Sequence, residues 1–363
     1  MLFINRFLYT LILFTTYIAS VFAQEKRSFK VFQFPSDLIP TIDGRMDDWA
    51  IVPEDYCVGM NQLFDDRIDS NRHLAADPKN LDVKVKVGWV KGMNRLYFLY
   101  QANDDYWDFS LPDLHNDIFE VVVDGDQSGG PFISPFHPNK DLDPMEAFLS
   151  FQGVHAQNYH IFTPPEGKEW AYVWGNQQWI KKLPYANAAY NYNFNPGESG
   201  VLTLEFWITA FDYAGAEGSS KAVESKFFEN KFIGLSWAIL DYDDVDAQKY
   251  NGFWNLSKER TMYGNASYLL PFRLMPLESR FINSIEAKWT FEIADANRRM
   301  VCFVDKSNGV ISSWKWDFGD GQFSTQQHPV HFYENSGLYS VVLWIEGPSG
   351  ISRMAKVWEV VVK

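Results

Sequence analysis

Cysteine is scarce: Cys57 and Cys302 are the only two in 363 residues. They lie far apart with no Cys-x-x-Cys or Cys/His spacing, which excludes a disulfide-stapled scaffold and a thiolate zinc site, so both read as free or buried thiols. Basic charge is also short. With 32 Lys+Arg against 46 Asp+Glu the formal net charge is −14, the wrong sign for nucleic acid or an anionic membrane surface. After the first two dozen residues no apolar run approaches the roughly 20 residues of a membrane span, and no stretch sustains a long helical period. Catalytic signatures are missing too: there is no His-Glu-x-x-His, Gly-x-Ser-x-Gly, P-loop or Cys-x-x-Cys. A non-enzymatic protein is the expectation.

Aromatic residues are what the chain has in excess, with 30 Phe, 18 Tyr and 14 Trp. Such rings favour pleated, half-buried surfaces, and those left wet make flat faces on which sugars stack. A chain of this length exceeds one small core and divides most naturally into two domains. At its start, Arg6 precedes a mostly apolar stretch over residues 7–18 and then Val21-Phe22-Ala23, the pattern of a cleavable secretory signal over residues 1–23. Neither cysteine lies near it to carry a lipid at the new terminus. A secreted, periplasmic or extracellular protein is expected.

Alternation with period two recurs along the chain. Val83, Val85, Val87 and Trp89 alternate with Lys84, Lys86 and Gly88, and after Lys91-Gly92-Met93-Asn94 the chain returns through Arg95-Leu96-Tyr97-Phe98, which predicts a hairpin. Residues 118–123, the set Leu202, Leu204, Phe206 and Ile208, and the set Ile233, Leu235, Trp237 and Ile239 predict further strands. Such a series between turn signals implies an all-β protein made of β-sandwiches. Pro271 and Pro276 mark a boundary near residues 276–282, giving a first domain over 24–278 and a second over 282–363.

In the second domain Trp314, Trp316 and Phe318 fall on one strand face. Gly319-Asp320-Gly321 supplies a tight turn, because glycine accepts positive φ and a short carboxylate accepts backbone N–H bonds. The run Trp316-Asp317-Phe318-Gly319-Asp320-Gly321, followed by Pro329-Val330-His331-Phe332-Tyr333 and a strand from Gly337 to Leu343, resembles a PKD domain. The resemblance implies an immunoglobulin-like β-sandwich that serves as a spacer or interaction module on extracellular proteins and glycan-degrading enzymes. Asp317 and Asp320 then read as turn formers. His328 and His331, on opposite faces of an extended segment, read as core or loop residues and not as metal ligands.

The first domain opens with Ile42-Asp43-Gly44-Arg45-Met46-Asp47-Asp48-Trp49. Asn116-Asp117-Ile118-Phe119-Glu120 then leads to Asp124, and Ile233-Gly234 leads to Asp241-Tyr242-Asp243-Asp244. In this order the pieces resemble the family 9 carbohydrate-binding module, from about Pro40 to Leu277. The resemblance implies a β-sandwich that clamps sugar chain ends between two tryptophans, bonds their hydroxyls with carboxylate, amide and basic side chains, and carries structural calcium. Carried over, Glu120 is the glutamate, and Asn251 with Trp254 three residues on are the amide and the second tryptophan. The first tryptophan is expected at position 114, where this chain has Leu114; Trp107 is the candidate replacement. No counterpart of the family arginine stands around Glu146 to Phe151. Trp174 and Trp179 flank a hairpin-like turn and read as structural.

Two oxygen-rich loops suit calcium, a hard cation. Asp124, Asp126 and Ser128 place oxygens at alternate positions, as in the first half of an EF-hand loop, without the later glutamate. Asp241, Asp243, Asp244 and Asp246 form the second. The expected function is an exported, non-catalytic carbohydrate-binding protein. The alternatives are an adhesion or scaffold protein and an accessory part of a glycoside hydrolase system.

Overall fold

The computed structural model describes residues 28–65, 76–244, 249–282, 285–347 and 349–363. The expected signal over residues 1–23 and Asp246 lie outside the described residues. The chain divides into two compact units, one ending at Pro276 and the other running Leu277–Lys363.

The first unit is built from β1 (Phe29–Phe34), β2 (Leu81–Val90), β3 (Arg95–Asp104), β4 (Ile118–Asp124), β5 (Gln157–Phe162), β6 (Ala171–Val173), β7 (Ala186–Asn191), β8 (Gly200–Thr209), β9 (Phe232–Asp241), β10 (Gly252–Asn255) and β11 (Leu270–Leu274). They run in the order β6-β5-β4-β9-β11-β1-β2-β3-β8-β7, with β10 on β9. Strand β1 joins two sheets: Phe29 to Val31 pair with Phe272 to Leu274 of β11, and Phe32 to Phe34 pair with Gly88 to Val90 of β2. The path therefore folds into two sheets packed face to face, a β-sandwich. The longest helix among the described residues, Pro144–Phe151, has eight residues and is capped by Asp143.

Strand alternation supplies the interior. Val83, Val85, Val87 and Trp89, then Phe119, Val121 and Val123, and the inward sets of β8 and β9 form one buried cluster. Tyr100 of β3 stacks on Phe119 of β4 with centroids 4.5 Å apart, so rings from the two sheets mesh. Burying a side chain of this size stabilises by about 1.5–3 kcal/mol.

The opening Ile-Asp-Gly motif has a structural role. Glu205 on β8 is buried; its Oε2 accepts the backbone N–H of Asp43, Gly44 and Arg45 at 3.2, 2.9 and 3.0 Å, and its Oε1 accepts Trp49 Nε1–H at 2.7 Å. Gly44, at φ +80°, passes so close to β7 that a Cβ would lie 2.7 Å from the Tyr190 carbonyl carbon. One carboxylate thus holds both the turn and the tryptophan.

The second unit contains β12 (Trp289–Asp295), β13 (Met300–Asp305), β14 (Ser313–Asp317), β15 (Val330–Phe332), β16 (Gly337–Gly347) and β17 (Gly350–Val362). A three-stranded sheet β12-β13-β15 accompanies a four-stranded one ordered Phe323–Ser324, β14, β16, β17. Trp316, Phe318, Val341, Leu343 and Ile345 are buried with Trp289 and Phe303. Asp317 Oδ1 accepts the Gly319 N–H at 2.9 Å and Asp320 Oδ1 the Gln322 N–H at 3.0 Å, the geometry of turn formers. His331 stacks on Phe318 with centroids 4.0 Å apart and holds Asp320 Oδ2 at 2.7 Å, while His328 Nδ1 accepts the Asp305 N–H.

Candidate functional site

Phe119 and Val121 of β4 enter the core, so Glu120 and Val122 face outward. Cross-strand register sets Tyr172, His160, Glu120, Ala238 and Asn255 in one row across β6, β5, β4, β9 and β10. Asn158, Val122 and Ser236 form the next row. Loops bearing Phe132, Ile133, Met262 and Leu269 cover part of this outer face. Beneath them Glu120 is buried; its Oε1 accepts Asn158 Nδ2–H at 2.7 Å and lies 3.3 Å from His160 Nε2. Burial holds the His160 imidazole below its ordinary value, with the Glu120 charge pulling the other way. His160 Nδ1, Asn158 Oδ1 and Ser236 Oγ are buried with no partner among the described residues. Each such atom costs about 1–3 kcal/mol if left dry, so enclosed water is the partner that suits them.

At the β5–β6 edge of the same sheet lies a cleft of about 520 Å³, lined by residues that include Leu114, Phe162, Lys168, Tyr172 and Trp174. Tyr172 is 40% exposed. The Trp174 ring lies 5.4 Å from the His160 ring and 5.7 Å from Tyr263, the latter nearly parallel at 19°. A buried side chain positions the opposite wall: Asn116 Nδ2 donates to the Leu111 and Asp113 carbonyls at 3.1 and 2.6 Å, and its Oδ1 accepts the Leu111 N–H at 3.0 Å. Lys168 Nζ donates to the Phe109 carbonyl at 3.2 Å and to that of Leu111. The Asn-Asp-x-x-Glu run thus shapes the loop bearing Leu114 with its first residue and supplies the outer face with its last.

Three of the sequence-predicted site residues are placed elsewhere. Trp107 is 1% exposed, stacked on Phe194 at 5.0 Å and 4°, with its Nε1–H on the Gly200 carbonyl at 2.9 Å. Both its faces and its donor are used, so it cannot replace the missing clamp tryptophan. Trp254 is half-buried and pairs in register with Ile239, a core residue, and its ring packs on the same core. It therefore points to the opposite face of the sheet from Glu120, and the two cannot hold one ligand between them. Asn251 is exposed; its N–H donates to the Asp241 carbonyl at 2.6 Å and its side chain bonds Asp243. The next residue, Gly252, is required because a Cβ there would lie 2.4 Å from Trp254 Nε1 and 2.8 Å from Asp241 Oδ2. In their place the structure brings Tyr172 and Trp174 to the cleft. Alternation in β6 signals this: Ala171 and Val173 are small core residues, which sends Tyr172 outward.

Acidic side chains gather at the ends of three strands. Asp104 closes β3, Asp117 precedes β4 and Asp241 closes β9; all three are buried, with ligand oxygens within 4.8 Å of one another, and Asp105 and Asp243 make a second group with Asp104. Asp117 Oδ1 and Oδ2 accept the N–H groups of Tyr242 and Asp108 at 2.8 and 2.7 Å. Burial, reinforced by the Asp241 charge, lifts Asp104 to about 8, and burial with Asp104 beside it pushes Asp117 well above the carboxylate range. The expected calcium loop is different in kind. Asp124 Oδ2 accepts the Gly129 N–H at 2.8 Å and Asp126 Oδ1 the Ser128 N–H at 2.9 Å, so these oxygens close the turn, and burial lifts Asp124 to about 6.

Comparison with known proteins gives the second unit a family: residues 289–362 match the PKD domain. A stretch of 43 residues is 49% identical to collagenase ColQ1 of Bacillus cereus (strain Q1), covering 12% of this chain and 4% of that protein. The chain thus spans a small fraction of the curated relative it matches. Among solved structures, a family 9 carbohydrate binding module from Caldicellulosiruptor kristjanssonii in complex with glucose is similar with a TM-score of 0.43 at 14% identity, over 70% of this chain and 98% of that one. The PKD1 domain of Vibrio cholerae metalloprotease PrtV is 27% identical over 22% of this chain and 98% of that one, with a TM-score of 0.20.

Proposed function

We propose that the first unit is a non-catalytic carbohydrate-binding module whose ligand enters the cleft of Tyr172 and Trp174. One observation carries this reading: a wet aromatic wall stands beside a preformed set of buried polar groups, Glu120, His160 and Asn158, two of which have an unused hydrogen-bonding atom. Sugars present just this combination, an apolar ring face for stacking and hydroxyls for polar partners. Leu114, at the position the family resemblance gives to tryptophan, lines the cleft as an apolar wall. The PKD unit serves as a spacer or interaction module, and the whole acts outside the cytoplasm beside glycan-degrading enzymes. Among the described residues no helix is long and apolar enough to cross a membrane.

Calcium belongs to the same proposal. The all-oxygen set of Asp104, Asp117 and Asp241 fits a hard divalent cation, and three buried carboxylates this close repel one another unless protons or a cation intervene. The ion's contribution is structural: it fixes the strand ends from which the Asn116 loop departs.

The test is a glycan panel that includes glucose and cellotriose, read by calorimetry with calcium present. Binding that weakens in Tyr172→Ala supports the reading; no affinity for any glycan contradicts it.

A further inference from the structure

The outer face of the four-stranded sheet in the PKD unit carries groups that its core does not explain. Val341, Leu343 and Ile345 point inward, so Trp344 faces out. Register pairs Trp344 with Lys315 on one side and Arg353 on the other, and Phe323 follows beyond β14. The face therefore reads Lys315, Trp344, Arg353 across three adjacent strands, with Phe323 one outward position further along, in register with Asp317. Lys315 Nζ sits 5.5 Å from the Phe323 centroid and 5.7 Å from that of Trp344. Phe323 is 58% exposed and both cations are exposed. A depression of about 230 Å³ opens here, lined by Ser313, Lys315, Trp344, Ile345, Glu346 and Ile351. Its one carboxylate, Glu346, accepts the Ser313 hydroxyl at 3.4 Å.

We propose that this row binds an acidic saccharide, a chain containing uronic acid residues. The indole offers a flat apolar face for a sugar ring. Arg353 and Lys315 flank it on neighbouring strands, about 5 Å to either side, where they meet a carboxylate, the guanidinium by paired hydrogen bonds. On a chain of net charge −14, two exposed cations about one half-buried tryptophan complement an anionic ligand. This site is separate from the Tyr172 cleft and does not depend on it.

The experiment is affinity electrophoresis of the full chain in gels containing polygalacturonate, with a neutral glucan gel as reference. The proposal expects retardation by the polyuronate that falls at high salt, falls about tenfold in Lys315→Glu/Arg353→Glu, and falls in Trp344→Ala, which leaves the charge unchanged. Tyr172→Ala retains it. Both charged positions are exposed, and Lys315→Gln and Arg353→Gln provide milder variants, with a thermal melt confirming that each is folded. No retardation by polyuronate, or retardation that survives the charge reversals in a folded protein, overturns the proposal.

Discussion

At the scale of single residues, burial decides how an aromatic ring is used. Trp107 is sealed against Phe194, whereas Tyr172 is 40% exposed. Their substitutions are expected to separate. Trp107→Ala lowers unfolding stability by about 3–5 kcal/mol, the cost of emptying a large core site, and is read by denaturant titration. Tyr172→Ala shifts stability by no more than about 0.5 kcal/mol, as exposed positions do, while weakening glycan affinity about tenfold, or about 1.4 kcal/mol. Gly319 is a third case. Its φ of +79° and a prospective Cβ 2.5 Å from the Ser340 carbonyl oxygen predict that Gly319→Ala sharply lowers the melting temperature of the PKD unit, because both the backbone conformation and the space exclude a side chain.

At the scale of elements, strand register decides which residues can cooperate. Glu120 and Trp254 lie two strands apart in one sheet but on opposite faces, since Glu120 aligns with Ala238 and Asn255 while Trp254 aligns with Ile239. Glu120→Gln is expected to reduce glycan affinity indirectly, by loosening His160 beneath Trp174, whereas Trp254→Phe reduces stability and leaves affinity unchanged; paired calorimetry and melting curves check both. The strands themselves were readable in advance: the alternating valines of β2 and the Leu/Phe/Ile set of β8 lie where period two placed them, and their small or branched inward residues fill the core. What sequence spacing does not contain is the partner across the sheet. The three-residue separation of Asn251 and Trp254 is compatible with a binding loop, but β10 pairs onto β9 in a register that turns the indole inward. The acidic centre was legible only in part: Asp241 stood in the acidic run read as suited to calcium, but Asp104 and Asp117 come from other strand ends that only folding brings beside it.

At the scale of the whole molecule, an acidic chain keeps its charge in check at particular points. In metal-free protein Asp104 is lifted from the ordinary 3.8 to about 8. The folded state then binds more protons than the unfolded chain between these values, so stability falls as pH rises from about 4 to 8. Calcium bound at the three carboxylates removes that loss, because the cation takes over the role of the protons; melting temperatures at pH 5 and pH 8 with and without calcium, in otherwise equal buffers, are expected to show a gain that grows with pH. A gain equal at both values contradicts a carboxylate site of this kind. On the proposed function, carbohydrate is held on the outer face of the first sandwich, against Tyr172 and Trp174. The most direct measurement is calorimetric titration of the best ligand from the glycan panel into the native chain, Tyr172→Ala and Trp254→Phe. Affinity is expected to be lost in Tyr172→Ala and kept in Trp254→Phe, and the reverse pattern contradicts a ligand on the outer face.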